Sequence, residues 1–314
     1  MSGGPDSLAL LVLSQATLPG RIAAATVDHG LRAESATEAR EVARICALMG
    51  VPHAILTVQV AGGNIQSCAR EARYAALAEW MAQDGLAALA TAHHADDQAE
   101  TLLMRLNRAS GVAGLAGVRA RGNVPGSTLP VLRPLLDWRR SELAGIVEGA
   151  GLVAAQDPSN ADTRFDRVRL RRALGATSWL NVAAIAASAG NLADADDALD
   201  WAARREWDEC VVWIACEADV SARYCPAAPR AIRLRVIARI VTAIRPDIKL
   251  RGSALARLHD ALAHGGTATL AGVAAQARGD GWTFRAAPPH RHGQETAPPR
   301  NQMARPRKSE DDRT

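Results

Sequence analysis

The chain has 314 residues, 48% of them hydrophobic and 22% charged, with a formal net charge of +4. That profile excludes a disordered chain, a collagen-like repeat and a disulfide-stapled miniprotein, and the length suits two domains with real cores. The charge excess is mild, so it permits a nucleic-acid partner without demanding one.

Only Lys249 and Lys308 are lysines; every other cation is arginine. Cys46, Cys68, Cys210, Cys216 and Cys225 form no CxxC pair and no zinc spacing. With no signal peptide and no bilayer-length apolar span, a reducing cytoplasmic location without a membrane partner is expected.

The first element is a loop followed by a helix. Ser2-Gly3-Gly4-Pro5-Asp6-Ser7 precedes the apolar run Leu8 to Leu13. Two glycines let the backbone approach a phosphate, a helix start offers N–H groups and partial positive charge, and Ser2 and Ser7 can donate. Asp6 repels a bare phosphate, so it points either to bridging by Mg²⁺ or to a restraint on loop shape. A flexible start with an ordinary cap would explain a Gly-Gly pair alone; the six-residue string is more specific. No lysine is available for a Walker-type loop, so kinase and GTPase readings fall away.

A strand over Ile22 to Val27 ends at Asp28-His29-Gly30, at the end of an open sheet where ligands gather; ordinary turn chemistry is the rival reading. Ser35-Ala36-Thr37-Glu38 is a capping box opening a helix that stops at Gly50. A strand over Ala54 to Val58 and a helix over Ile65 to Gln83 follow, the helix carrying Ser67, Arg70 and Tyr74 on one face with Arg73 adjacent. That combination reads as a phosphate or nucleotide contact surface rather than a solvated face.

Leu86 to Ala92 reads as a strand and Ala95 to Arg108 as a helix. Around their junction, His93, Asp97 and Glu100 fall at i, i+4 and i+7, one base and two carboxylates on a single stripe. A metal cluster, or acids favouring the helix dipole, are the competing explanations. Gly111 to Pro134 breaks the periodicity, Trp138 to Ala150 resumes it as a helix, and Asp157-Pro158-Ser159-Asn160 is a turn. Alternating strands and helices indicate an α/β fold with a Rossmann-like, mainly parallel sheet.

From Ala173 the signals turn helical, clearest over Ala183 to Arg205, Ala231 to Ile244 and Ala254 to His264. We expect a catalytic domain over 1–178, a mainly helical domain over 179–286 and a disordered Pro- and Arg-rich tail over 287–314.

The SGGPDS string resembles the pyrophosphate-binding loop of the N-type ATP-pyrophosphatase (PP-loop) superfamily. With VDHGLR, NIQSCAREARY, HHADDQAET, LMRLNRASGVAGLAG, RPLL and DPSN following in order over about the first 170 residues, the chain resembles the tRNA(Ile)-lysidine synthetase family. Weaker likeness continues in Thr269 to Val273, in Gly281-Trp282 and in Arg164 to Arg169, where Val168 replaces the family's usual asparagine.

The resemblance implies ATP and Mg²⁺ as cofactors, free L-lysine and a CAU-anticodon tRNA(Ile) as partners, and it leaves a homodimer open. It implies that Ser2, Gly3, Gly4, Pro5, Asp6, Ser7, Asp28 and His29 bind the nucleotide, and that Asp97, Glu100, His93 and Arg73 do the chemistry. Asp97 and Glu100 are expected to contact the cytosine and stabilise its activated form, and one of the two, Glu100 ahead of Asp97, to take a proton from lysine. The five arginines from Arg164 to Arg172 read as a phosphate-backbone contact or as a solvated helix face. A tRNA 2-thiocytidine synthetase would need CxxC cysteines, and a degenerate nucleotide- or RNA-binding module is the non-enzymatic rival. The phosphate loop begins at residue 2, so a buried first strand of about five residues is expected upstream.

Overall fold

The computed structural model describes residues 1–30, 35–59, 65–155, 164, 166–216 and 219–288. The chain divides into two compact units, Met1–Ala202 and Ala203–Thr314.

In the first unit, α1 (Pro5–Thr17) leads into β1 (Ala24–Asp28), α2 (Ser35–Leu48) and β2 (His53–Thr57). β1 and β2 pair in parallel from Ala24 opposite His53 to Asp28 opposite Thr57, with α2 as the crossover. Then come α3 (Ile65–Gln83), β3 (Leu89–Ala90), α4 (Ala95–Leu106), α5 (Val112–Leu115), β4 (Arg121–Asn123), β5 (Pro130–Leu132), α6 (Arg140–Gly149), α7 (Asp166–Ala176) and α8 (Val182–Cys210). β3 pairs in parallel with β5, and β4 adds antiparallel on the other side. This is the expected α/β architecture.

Two local readings change. The strand expected from Leu86 starts only at Leu89, because the preceding residues close α3: Gly85 takes φ +63° and the Leu86 N–H donates to the Met81 carbonyl. The segment Gly111 to Pro134 is not irregular throughout. It holds α5, β4 and β5, whose three or four residues are too few to show a period.

The core explains how the phosphate loop is held. Leu8 and Leu11 of α1 pack with Val42, Ile45 and Cys46 of α2 and with Leu143 and Val147 of α6. Each such side chain contributes about 1.5–3 kcal/mol on burial, so α1 and the loop before it are anchored from two sides.

The second unit carries α9 (Arg230–Ile244) and α10 (Gly252–Ala263), as expected, and five strands that the helical reading did not contain. β6 (Val211–Cys216), β7 (Asp219–Tyr224), β8 (Thr267–Leu270), β9 (Val273–Arg278) and β10 (Gly281–Ala286) form one antiparallel sheet in the order β6-β7-β10-β9-β8. Its hairpins turn on Ala271-Gly272, with φ of 53° and 76°, and on Gly279-Asp280. Val236, Ile237 and Ile240 of α9, Leu258 and Leu262 of α10, and Tyr224, Trp282 and Phe284 of the sheet are buried. Tyr224 and Trp282 meet edge to face at 5.6 Å.

Leu31 and Arg32 of VDHGLR, the DPSN turn and the tail from residue 289 lie outside the described residues.

Candidate active site

The expected phosphate loop runs from Met1 to the start of α1. Gly3 adopts φ +74°, and a Cβ there would meet Val42 Cγ2 at 3.1 Å and Ala155 Cβ at 3.4 Å. Its carbonyl accepts the Ala155 N–H at 2.9 Å. Glycine is therefore required by conformation and by space together. Gly4 caps α1 in an extended conformation with no side-chain cap, and Pro5 opens the first turn. Such a terminus presents main-chain N–H groups to an anion, while Pro5 removes a donor that would have no helical partner. Ser7 Oγ donates to the Gly4 carbonyl at 3.0 Å and lies 3.3 Å from Ser2 Oγ. The Met1 amine donates to the Ala25 carbonyl of β1.

At the end of β1, Asp28 Oδ1 accepts the Gly30 N–H at 2.9 Å and the Ser35 hydroxyl at 2.7 Å. These bonds, Gly30's first, hold its carboxyl below the usual range. Asp28 thus shapes the turn and ties it to the start of α2. Burial, then the positive charge of Arg73, pushes the His29 imidazole down, and its Nδ1 is buried without a hydrogen-bond partner among the described residues. Arg70 and Arg73 also flank the buried Tyr74 ring, 5.1 and 5.9 Å from its centroid. The Ser67 side chain lies outside the described residues.

A network of charged groups lies where α1, α4 and α6 meet. His94, the N-cap of α4, is 1% exposed, with Nε2 3.5 Å from both Asp6 Oδ2 and Asp97 Oδ2 and Nδ1 3.7 Å from Asp96 Oδ2. These are ion-pair separations rather than well-formed hydrogen bonds. Asp6 also faces Arg140 Nη2 at 3.5 Å. Burial works against its carboxylate, but His94 and Arg140 outweigh that and hold its pKa down. The restraint on loop shape, of the two readings of Asp6, is the one this geometry supports. Asp96 takes both Nε and Nη2 of Arg139 at 3.1 Å and the Arg140 N–H at 2.9 Å, which locks the start of α6 to the start of α4.

The stripe His93, Asp97, Glu100 is present, but its members sit in different surroundings. Asp97 is partly exposed and accepts the His94 N–H at 3.3 Å. Glu100 is 1% exposed and held by a fork from Arg171, Nε to Oε1 at 2.6 Å and Nη2 to Oε2 at 3.2 Å, with Arg167 Nε 3.8 Å from Oε2. Both oxygens of Glu100 are thus engaged by arginine, whereas Asp97 is the more exposed of the two carboxylates. His93 Nδ1 bonds the Thr91 hydroxyl at 3.0 Å.

The adjacent imidazoles are tuned apart. Burial lowers the pKa of His93, Asp97 opposes this, and Arg133, Arg167 and Arg70 reinforce it. Burial also disfavours charge on His94, but Asp6 and Asp97 override it and raise its pKa. Of the arginines from Arg164 to Arg172, Arg167 and Arg171 turn inward to Thr101 and Glu100, and Arg169 pairs with Asp166. The solvated-face reading fails for Arg171, whereas the Arg167 side chain stays about half exposed.

A cavity of about 630 Å³ opens beside this network, lined by Asp96, Glu100, Arg139, Arg140 and Arg171 and walled by Ser178 and Asn181. It offers cations and carboxylates together. His94, Arg133, Arg139 and Arg140 were not singled out as site residues in the sequence. His94 lies within HHADDQAET and Arg133 within RPLL; for Arg139 and Arg140 the signal is the Asp96-Asp97 doublet, which calls for nearby cations.

Among the described residues, no three or more His, Cys, Asp and Glu side chains are grouped to hold a metal ion. Asp6, the candidate Mg²⁺-bridging residue, instead faces His94 and Arg140, each at 3.5 Å. Among the same residues no helix is long and apolar enough to cross a membrane.

A PP-loop domain family model matches residues 1–177. The chain is 50% identical over 294 residues to the tRNA(Ile)-lysidine synthase of Novosphingobium aromaticivorans, covering 93% of this chain and 89% of that protein. It is 43% identical to the tRNA(Ile)-lysidine synthase of Zymomonas mobilis, covering 93% and 88%. The U34-tRNA thiolase NcsA from Methanococcus maripaludis matches in structure with a TM-score of 0.50 at 17% identity, over 62% of this chain and 69% of that one; this likeness concerns fold alone. With the PP-loop geometry in place and relatives this similar along nearly the whole length, the chain belongs to the tRNA(Ile)-lysidine synthase family.

Proposed function

We infer that this protein is an ATP-dependent ligase that forms lysidine on tRNA(Ile), joining free lysine to C2 of the wobble cytidine of the CAU anticodon. The observation that carries the reading is the near full-length likeness to the Novosphingobium enzyme. The adjacent phosphate loop and mixed-charge cavity fit it. The cytidine C2 oxygen attacks the α-phosphate of ATP and pyrophosphate leaves; the lysine ε-amine then attacks C2 and AMP departs.

Residues Ser2 to Ser7 would receive the phosphates on the uncapped start of α1, and Asp28 and His29 would border the nucleotide at the end of β1. Mg²⁺ would enter with the nucleotide, taking its oxygen ligands from phosphates and water. Activated cytidine is cationic, and partly exposed Asp97 is placed to stabilise it. His93, with its lowered pKa, and Arg73 would orient phosphate.

The cavity suits lysine. Arg139, Arg140 and Arg171 can meet a carboxylate, and Asp96 and Glu100 can meet ammonium groups. The ε-ammonium, with a pKa near 10.4, must lose its proton before attack. Glu100, fixed by Arg171, would serve as electrostatic partner of lysine, and Asp97, the more exposed of the two carboxylates, would take that proton. Exposed arginines in both units would meet the tRNA backbone, with the target base splayed into the site. AMP formation dependent on both lysine and tRNA tests this; sulfur incorporation, or binding without turnover, would refute it.

A further inference from the structure

His94 has no part in that scheme, yet it is as enclosed as Glu100, and both of its ring nitrogens face carboxylates. The charged groups around it come from each packed element: Asp6 of α1, Asp96 and Asp97 of α4, and Arg140 of α6. Among the described residues, neither ring nitrogen has a well-formed hydrogen bond. A ring with acceptors opposite both nitrogens suits both only when both carry protons. The positive end of the α4 dipole disfavours that state, but three carboxylates within 4 Å outweigh it.

Asp6 lies inside the phosphate loop, while Asp97 belongs to the stripe that faces the acceptor. One nitrogen of His94 touches both at 3.5 Å. We propose that His94 is the positioning residue of the adenylation step: by bridging Asp6 and Asp97 it fixes the nucleotide held by the phosphate loop against the cytidine held at α4. Its raised pKa agrees with a charged bridge. The proposal rests on the reading of this site as one that adenylates cytidine. Relaxing the bridge would let the loop and the stripe shift independently, and a displacement of about 1 Å between reactants costs on the order of 10²-fold in rate.

The experiment uses the full chain, measuring ATP affinity by equilibrium binding and pyrophosphate release in a single turnover with tRNA(Ile) and no lysine. In H94A the release rate should fall on the order of 10²-fold while ATP affinity stays within about threefold. H94Q, whose amide can donate to two carboxylates, should recover to within about tenfold of wild type. A rate in H94A within about twofold of wild type, or an equal fall of affinity and rate in both variants, would overturn the proposal. A second reading does not need H94A to fold: the wild-type release rate should decline as pH rises through the pKa of His94, and that limb should vanish in H94Q. The same limb in both proteins would also overturn it. Wild-type protein that releases no pyrophosphate would remove the adenylation reading itself, and the proposal with it.

Discussion

Arg171 lays its guanidinium fork on Glu100, Nε on Oε1 at 2.6 Å and Nη2 on Oε2 at 3.2 Å, joining α7 to α4 across 71 positions of sequence. The pair lines the mixed-charge cavity, so it serves structure and site at once. Removing Arg171 leaves Glu100 buried with Arg167 Nε at 3.8 Å, and breaking a buried pair typically costs about 3–5 kcal/mol. R171A should therefore lower the thermal midpoint sharply, whereas the double variant E100Q R171M, carrying no orphaned charge, should lie nearer wild type. Midpoints that fall additively in the double variant would contradict this.

Replacing Glu100 by glutamine keeps its volume and removes its charge. E100Q should abolish lysine transfer while ATP affinity stays within a few-fold of wild type, because Glu100 touches no part of the phosphate loop in the network described. Radiolabelled lysine incorporation and nucleotide binding, measured on the same preparation, check both halves.

G3A meets two obstacles, a backbone at φ +74° and a side chain 3.1 Å from the new Cβ. The conformation alone costs about 1 kcal/mol. Val42 cannot retreat freely, because it is buried in the core against α1. The loop should shift and ATP affinity should drop by about tenfold or more, a loss of about 1.4 kcal/mol. Unchanged affinity would show that the loop tolerates the shift.

The paired histidines predict opposite pH effects on stability. His94 has its folded pKa raised above 6.5, so its contribution is fully present below the unfolded pKa and is lost as pH rises through the folded one. His93 has its folded pKa lowered, so its contribution is present above the unfolded pKa and is lost as pH falls through the folded one. The destabilisation by H94Q should shrink as pH rises above 6.5, and that by H93N should shrink as pH falls below 6.5. Denaturant titrations across that range read both.

The parts of the site written in contiguous sequence were legible before any coordinates. Gly3, Gly4 and Ser7 announce a phosphate loop because glycine conformation and helix N–H groups are local matters. His93, Asp97 and Glu100 announce a polar stripe because helical spacing is local too. The partners that set their chemistry were not legible, since Arg139 reaches Asp96 across 43 positions and Arg171 reaches Glu100 across 71. Only the fold makes those neighbours, and with them the arginine fork on Glu100. The sheet of the second unit escaped for another reason. Thr267–Leu270 and Val273–Arg278 alternate as strands do, but alanine fills so many positions that the apolar period is faint.

The central claim is that one site adenylates cytidine and then accepts lysine. Its most direct test is AMP formation from ATP by the purified chain with unmodified CAU-anticodon tRNA(Ile), with and without lysine. The account predicts AMP and one lysine per tRNA when both substrates are present, with the tRNA mass raised accordingly. AMP formation that ignores the tRNA, or a tRNA left unchanged in mass, would contradict it.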